Sequence, residues 1–133
     1  MNSKSTFLAL VLCAGVAGSA LAQGSGLKRE LLHKTDMAAA GYEAVVARVE
    51  VAPGIMAGRH SHPGEEISYV LEGEGELLID GEAPRKLKAG DSFVIPAGKI
   101  HDAKNTGSGP FKLFGVYVVE KGKPLASPAQ AKP

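Results

Sequence analysis

The chain has almost no cysteine, no excess of charge of one sign and no apolar run of membrane-spanning length. Its single cysteine is Cys13, inside an N-terminal stretch unlike the rest, so a chain without that stretch has neither disulfides nor thiol chemistry. Lys and Arg number 15 against 14 Asp and Glu, and Lys4 alone among them precedes residue 23. The remainder is balanced, with no block of like charge, so nothing in it suggests nucleic-acid binding or electrostatic membrane binding, and neither partner is expected. No sequence repeat recurs at fixed period, and 133 residues suffice for one domain. So small a core makes self-association a natural source of further burial.

The N-terminal stretch has its own logic. Lys4 supplies a positive start, Phe7 to Val16 is apolar, and Ala20-Leu21-Ala22 ends the run with small residues. This is the pattern of a secretory signal peptide over residues 1–22, and the run is short for a membrane anchor. Cys13 follows Leu12, which is too large for the residue before a lipidated cysteine. Cleavage near Ala22 is therefore expected, placing the mature protein in the periplasm or outside the cell. The signal has no twin arginine, so export unfolded is expected.

Residues 23–43 read as a lead segment, with 28–40 a weak helical or extended connector. From Ala44 the pattern turns to period two: Ala44–Val51, Glu66–Leu71, Glu76–Ile79, Ser92–Ile95 and Phe111–Val119 are β-rich. Turn signals separate them, among them Pro63-Gly64, Asp80-Gly81, Gly90-Asp91 and Pro96-Ala97-Gly98. Short, evenly spaced strands predict an all-β sandwich or barrel over 44–120. The Lys-, Pro- and Ala-rich segment 121–133 reads as a flexible C-terminal tail.

Three of the four histidines sit beside turns. In a strand, side chains two apart share a face, so His60 and His62 can aim at one point. Pro63-Gly64 supplies a bend that lets a carboxylate, Glu65 or Glu66, return to the same centre. His101, after Pro96-Ala97-Gly98, can complete a set of three nitrogens and one oxygen. That set suits a divalent transition metal (Fe, Mn, Co, Ni, Cu or Zn) and suits calcium poorly. An isolated His-x-His is more often a surface pair, and His33, Arg59, Lys99 and Asp102 read as surface residues. Tyr117 reads as packing. Phe93, Ile95, Ile100, Phe111, Leu113 and Phe114 read as core or cavity lining.

The frame around the histidines is more specific. Gly54, His60, His62, Glu66 and Gly73 follow the spacing G-x5-H-x-H-x3-E-x6-G, and Gly90, Pro96, Gly98, His101 and Asn105 follow G-x5-P-x-G-x2-H-x3-N. Both patterns, in this order, resemble the two motifs of the cupin family, over about residues 44–119. The resemblance implies a single small double-stranded β-helix (jelly-roll) barrel. It implies a metal held by His60, His62, Glu66 and His101, and it selects Glu66 over Glu65. Alternation agrees: with Glu66 inward, Ser68 and Val70 point in, while Ile67, Tyr69 and Leu71 face a second sheet or a partner. Asn105 becomes a turn or supporting residue.

The resemblance implies a small-molecule substrate or ligand and leaves the reaction open, since one fold hosts many chemistries. Three functions are expected from different classes. One is a quercetin-dioxygenase-like metalloenzyme acting on a small chelating organic substrate, with Glu66 as ligand or base. The second is a sugar or organic-acid isomerase or lyase. The third is a non-catalytic metal- or ligand-binding protein.

Overall fold

The computed structural model describes residues 26–130, and the expected signal peptide lies outside them. Ten strands and no helix make up the described residues, as the sequence predicts for the fold class. They are β1 (Leu27–Asp36), β2 (Tyr42–Val51), β3 (His60–Ser61), β4 (Gly64–Glu72), β5 (Glu74–Ile79), β6 (Arg85–Lys88), β7 (Ser92–Ile95), β8 (His101–Asn105), β9 (Phe111–Glu120) and β10 (Ser127–Pro128). They form two five-stranded antiparallel sheets, ordered β1-β2-β9-β4-β7 and β10-β3-β8-β5-β6.

Alternation builds the interior. On β2, Val45, Ala47, Val49 and Val51 are buried, and on β9 so are Phe111, Leu113, Tyr117 and Val119. Register places these rows opposite one another, Val51 against Phe111 and Val45 against Tyr117. A one-residue slip would turn both rows to solvent, so the apolar rows themselves fix the pairing. Gly73 links β4 to β5 at φ +85°, where a Cβ would stand 2.3 Å from the Pro110 carbonyl oxygen. Backbone conformation and crowding both demand glycine there. Asp80-Gly81 fills the centre of the β5–β6 turn, which the Glu82 N–H closes by donating to the Ile79 carbonyl at 3.0 Å.

Several sequence expectations change. The 28–40 connector is largely strand β1, paired along most of β2 with a bulge between Leu31 and His33. The 121–133 tail is ordered through residue 130: β10 pairs with β3, Ala126 is buried, and the Ala129 N–H donates to the Arg59 carbonyl. Its Pro-rich composition hid a segment stabilised by the surface it crosses. Phe114 lies on the outer face of its sheet, exposed, because it falls between the inward positions Leu113 and Gly115.

Candidate metal centre

Each sheet delivers part of one cluster. His60 and His101 are direct cross-strand partners on β3 and β8. Glu66 comes from the opposite sheet, where it pairs with Tyr117 and Ile95. His62 sits in the bend between β3 and β4, and its carbonyl accepts the Gly98 N–H at 2.9 Å. The turn before His101 is thereby tied to the backbone of His62. One donor atom from each of His60, His62, Glu66 and His101 lies within 4.8 Å of all the others. The three imidazole centroids stand 4.4–5.1 Å apart.

Hydrogen bonds fix what those rings present. His60 Nδ1 lies 2.6 Å from the Gly58 carbonyl, His62 Nδ1 2.6 Å from the Leu125 carbonyl, and His101 Nδ1 3.0 Å from the Lys99 carbonyl. A carbonyl only accepts, so each Nδ1 carries the proton. In the neutral ring each Nε2 is then a lone pair, and the Nε2 atoms of His62 and His101 face Glu66 Oε2 at 3.0 and 3.2 Å. His62 Nε2 is buried without a hydrogen bond, because Glu66 lies off the line such a bond requires. A lone pair facing the carboxylate is unfavourable unless a cation sits between them: a proton on His101 Nε2, which then donates to Glu66 Oε2 at 3.2 Å, is one such cation, and a divalent ion is another. The set therefore fits a divalent transition metal, with backbone carbonyls orienting each imidazole.

The electrostatics agree. Burial holds His60 down to about 4, so it stays neutral and available as a donor. Burial opposes charge on His101 too, but its contact with Glu66, helped by the Lys99 carbonyl and Asp102, raises it overall. Burial resists ionisation of Glu66, yet His101, His62 and Ser68 together hold its carboxyl well below the usual range. The Ser68 hydroxyl donates to Glu66 Oε1 at 2.6 Å, which pins one oxygen and leaves Oε2 to the cluster.

The structure gathers the four ligand candidates and leaves the others outside. Glu65 and His33 are exposed. Arg59 turns away, pairing with Asp80 at 2.7 Å. Asn105 is fully buried and ties the turn after β8: its Nδ2 donates to the Val51 and Gly109 carbonyls, and its Oδ1 accepts from the Gly107 N–H.

Asp102 is a correction, since it is buried. Its Oδ1 accepts the Gly58 N–H at 2.9 Å, and Gly58 in turn orients His60. The loop before β3 covers a position that alternation alone assigns to the outside. Tyr117 packs in the core as expected, and its ring also lies 4.8 Å from that of His62 and lines the cavity, over space that a Cβ on Gly115 would fill. Burial pushes the Tyr117 phenol up, keeping it protonated. Arg29 on β1 also lines the cavity, and no sequence motif marks it. The remaining space is about 30 Å³.

Residues 47–119 match the Cupin domain family. The dimethylsulfoniopropionate lyase DddQ of Ruegeria pomeroyi is 41% identical over 58 residues, 44% of this chain and 28% of that protein. The oxalate-binding protein of Thermotoga maritima is 36% identical over 74 residues, 55% of this chain and 60% of that protein. The chain thus spans less than two thirds of either relative. An uncharacterised Klebsiella pneumoniae protein with a double-stranded β-helix domain superposes with a TM-score of 0.67 at 25% identity, covering 80% of this chain and 87% of that one.

Proposed function

The chain belongs to the cupin domain family, and from that premise we propose that it holds one divalent transition metal on His60, His62, Glu66 and His101 and acts through it on a small chelating organic molecule. The observation that carries this reading is the convergence of Nδ1-protonated, carbonyl-oriented imidazoles on one oxygen of Glu66. A divalent ion there would supply Lewis-acid polarisation of a chelated oxygen, or a site for O₂ activation. The chain's own groups do the rest. Ser68 holds Glu66 in place, which favours a fixed ligand over a carboxylate that swings away as base. Tyr117 offers a protonated phenol at the cavity wall, beside the apolar side chains of Val49, Leu77, Phe93 and Leu113.

The candidate chemistries separate by simple measurements on metal-loaded protein. Oxygen uptake with a chelating substrate marks the dioxygenase-like enzyme. Turnover under argon marks the isomerase or lyase, which the likeness to a lyase favours. Retention of metal and ligand without turnover marks a binding protein, which the likeness to an oxalate-binding protein favours. Absence of turnover with every acid and sugar tested, aerobically and under argon, would overturn the enzymatic reading.

Two further features belong to the same proposal. Export with cleavage near Ala22 is supported by the apolar run Phe7–Val16 and the small residues after it. A homodimer is supported by the exposed strip Ile67, Tyr69, Leu71, Val94 and Phe114 on the outer face of the first sheet.

A further inference from the structure

On the reading that the four-residue cluster holds a divalent metal, we infer that Asp102 is a positioning residue: it locks a one-residue bulge at Gly58, and that bulge turns His60 toward the metal. The segment before β3 runs antiparallel to β8. Met56 bridges Lys104, the Ala57 N–H donates to the Ala103 carbonyl at 2.9 Å, and the Ile55 carbonyl accepts the Asn105 N–H at 2.9 Å. His60 then pairs with His101. From one bridge to the next this segment advances four residues, Met56 to His60, while β8 advances three, Lys104 to His101. The surplus residue is a bulge, which bends a strand and re-aims the side chains beyond it. Ile55 and Ala57 pack against the core, so strict alternation would carry Arg59 and Ser61 inward and His60 outward. The structure has the reverse: His60 lines the cavity, and Arg59 points away to Asp80.

Gly58 is where the surplus sits. Its φ is +93° and a Cβ there would meet nothing within 4 Å, so backbone conformation, not crowding, asks for glycine. The bulge takes the Gly58 N–H off the ladder. Asp102, buried on β8, supplies the acceptor: its Oδ1 takes the Gly58 N–H at 2.9 Å and the Ala103 N–H at 2.8 Å. The carbonyl of the same Gly58 lies 2.6 Å from His60 Nδ1. One carboxylate oxygen on β8 therefore holds the residue whose carbonyl orients a ligand on β3. His62 has ties of its own, to Gly98 and to the Leu125 carbonyl, so the effect falls on His60. The charge of Asp102 also reaches His101. Asparagine separates the two routes, since it keeps an acceptor oxygen and drops the charge.

The test is competition for Co(II) between the full-length protein and a chromophoric chelator, read beside the visible absorption of the Co(II) protein, with and without His60→Ala. Asp102→Ala should bind Co(II) about tenfold to a hundredfold more weakly, the usual loss when support for a metal-binding imidazole is removed, and its spectrum should move toward that of His60→Ala. Asp102→Asn should stay within about threefold of wild type, because the acceptor remains. In the His60→Ala protein, Asp102→Ala should cost no more than about twofold, since two changes acting through one residue do not add. Gly58→Pro removes the same N–H without touching β8 and should match Asp102→Ala. Wild-type Co(II) affinity in Asp102→Ala, or in Gly58→Pro where Asp102→Ala does not fold, would overturn the inference and leave the metal site standing. So would a loss from Asp102→Ala as large in the His60→Ala protein as in wild type, or an Asp102→Asn as weak as Asp102→Ala. Wild-type protein that takes up neither Co(II) nor any other of these divalent metals would overturn the metal reading itself, and this inference with it.

Discussion

At the scale of single residues, the site is a set of donors whose protons are assigned by backbone carbonyls. The four-residue cluster was readable in advance because the two motifs fix both residue type and spacing, and period-two alternation separates Glu66 from its neighbour Glu65. The carbonyls of Gly58, Lys99 and Leu125 were not readable, since a backbone carbonyl has no residue identity. His62→Ala and His101→Ala should each abolish most metal occupancy, and Glu66→Gln should lower it strongly, while His33→Ala and Glu65→Gln leave it near wild type. Elemental analysis of the purified variants checks this, and equal losses at Glu65 and Glu66 would move the ligand. Acidity gives a second residue-scale outcome, for metal-free protein. Burial lowers His60 to about 4 from its ordinary 6.5, so between these values the unfolded chain takes a proton that the folded chain refuses. Its contribution to stability is complete above pH 6.5 and is lost as pH falls toward 4. His101, raised, takes its proton before the unfolded chain does and opposes the loss over about the first unit below 6.5, while Glu66, held low, adds to the loss once the pH enters the ordinary carboxylate range. Asp102, which burial raises, opposes the loss only near the acid edge of the window. The melting temperature in chelator should therefore fall on acidification from pH 6.5 toward 4, and a rise would contradict the burial of a neutral His60.

At the scale of elements, the strands that sequence reading recovered are those whose apolar residues stand out between clear turn signals, β2, β4, β5, β7 and β9. Those it missed are short or polar: β3 and β10 have two residues each, and β1 has a single fully buried side chain, Leu27. Such strands gain their order from the neighbour they pair with, which no local pattern records. β10 matters most for the site. The segment before it packs Leu125 against Val45, Ala47, Tyr117 and Val119, and the Leu125 carbonyl fixes His62. A chain ending at Lys123 should bind metal about tenfold to a hundredfold more weakly, the usual loss when the partner orienting a metal-binding imidazole is removed. Leu125→Ala keeps the carbonyl and should lose less. Competition titration with a chromophoric chelator measures both, and wild-type affinity in the truncated chain would show that the strap does not orient His62.

At the scale of the whole molecule, one face of the first sheet is uncovered among the described residues. Ile67 and Val94 are cross-strand partners, as are Tyr69 and Phe114, and all four are exposed in the single chain. The sequence left open whether Ile67, Tyr69 and Leu71 meet a second sheet or a partner. The second sheet packs on the other side, and a partner on this face belongs to the proposed homodimer. Contiguous apolar surface of this kind marks an interface. The protein should sediment as a dimer at micromolar concentration, and Tyr69→Glu with Phe114→Glu should give a monomer that still binds metal. A monomeric wild type would remove the dimer from the account without touching the metal site.

The central claim is that His60, His62, Glu66 and His101 are a metal centre. It is tested most directly by elemental analysis of protein purified from its native source with no metal added. About one divalent transition metal per chain is the expected result. Metal-free protein that takes up none of Fe, Mn, Co, Ni, Cu or Zn on exposure would contradict it.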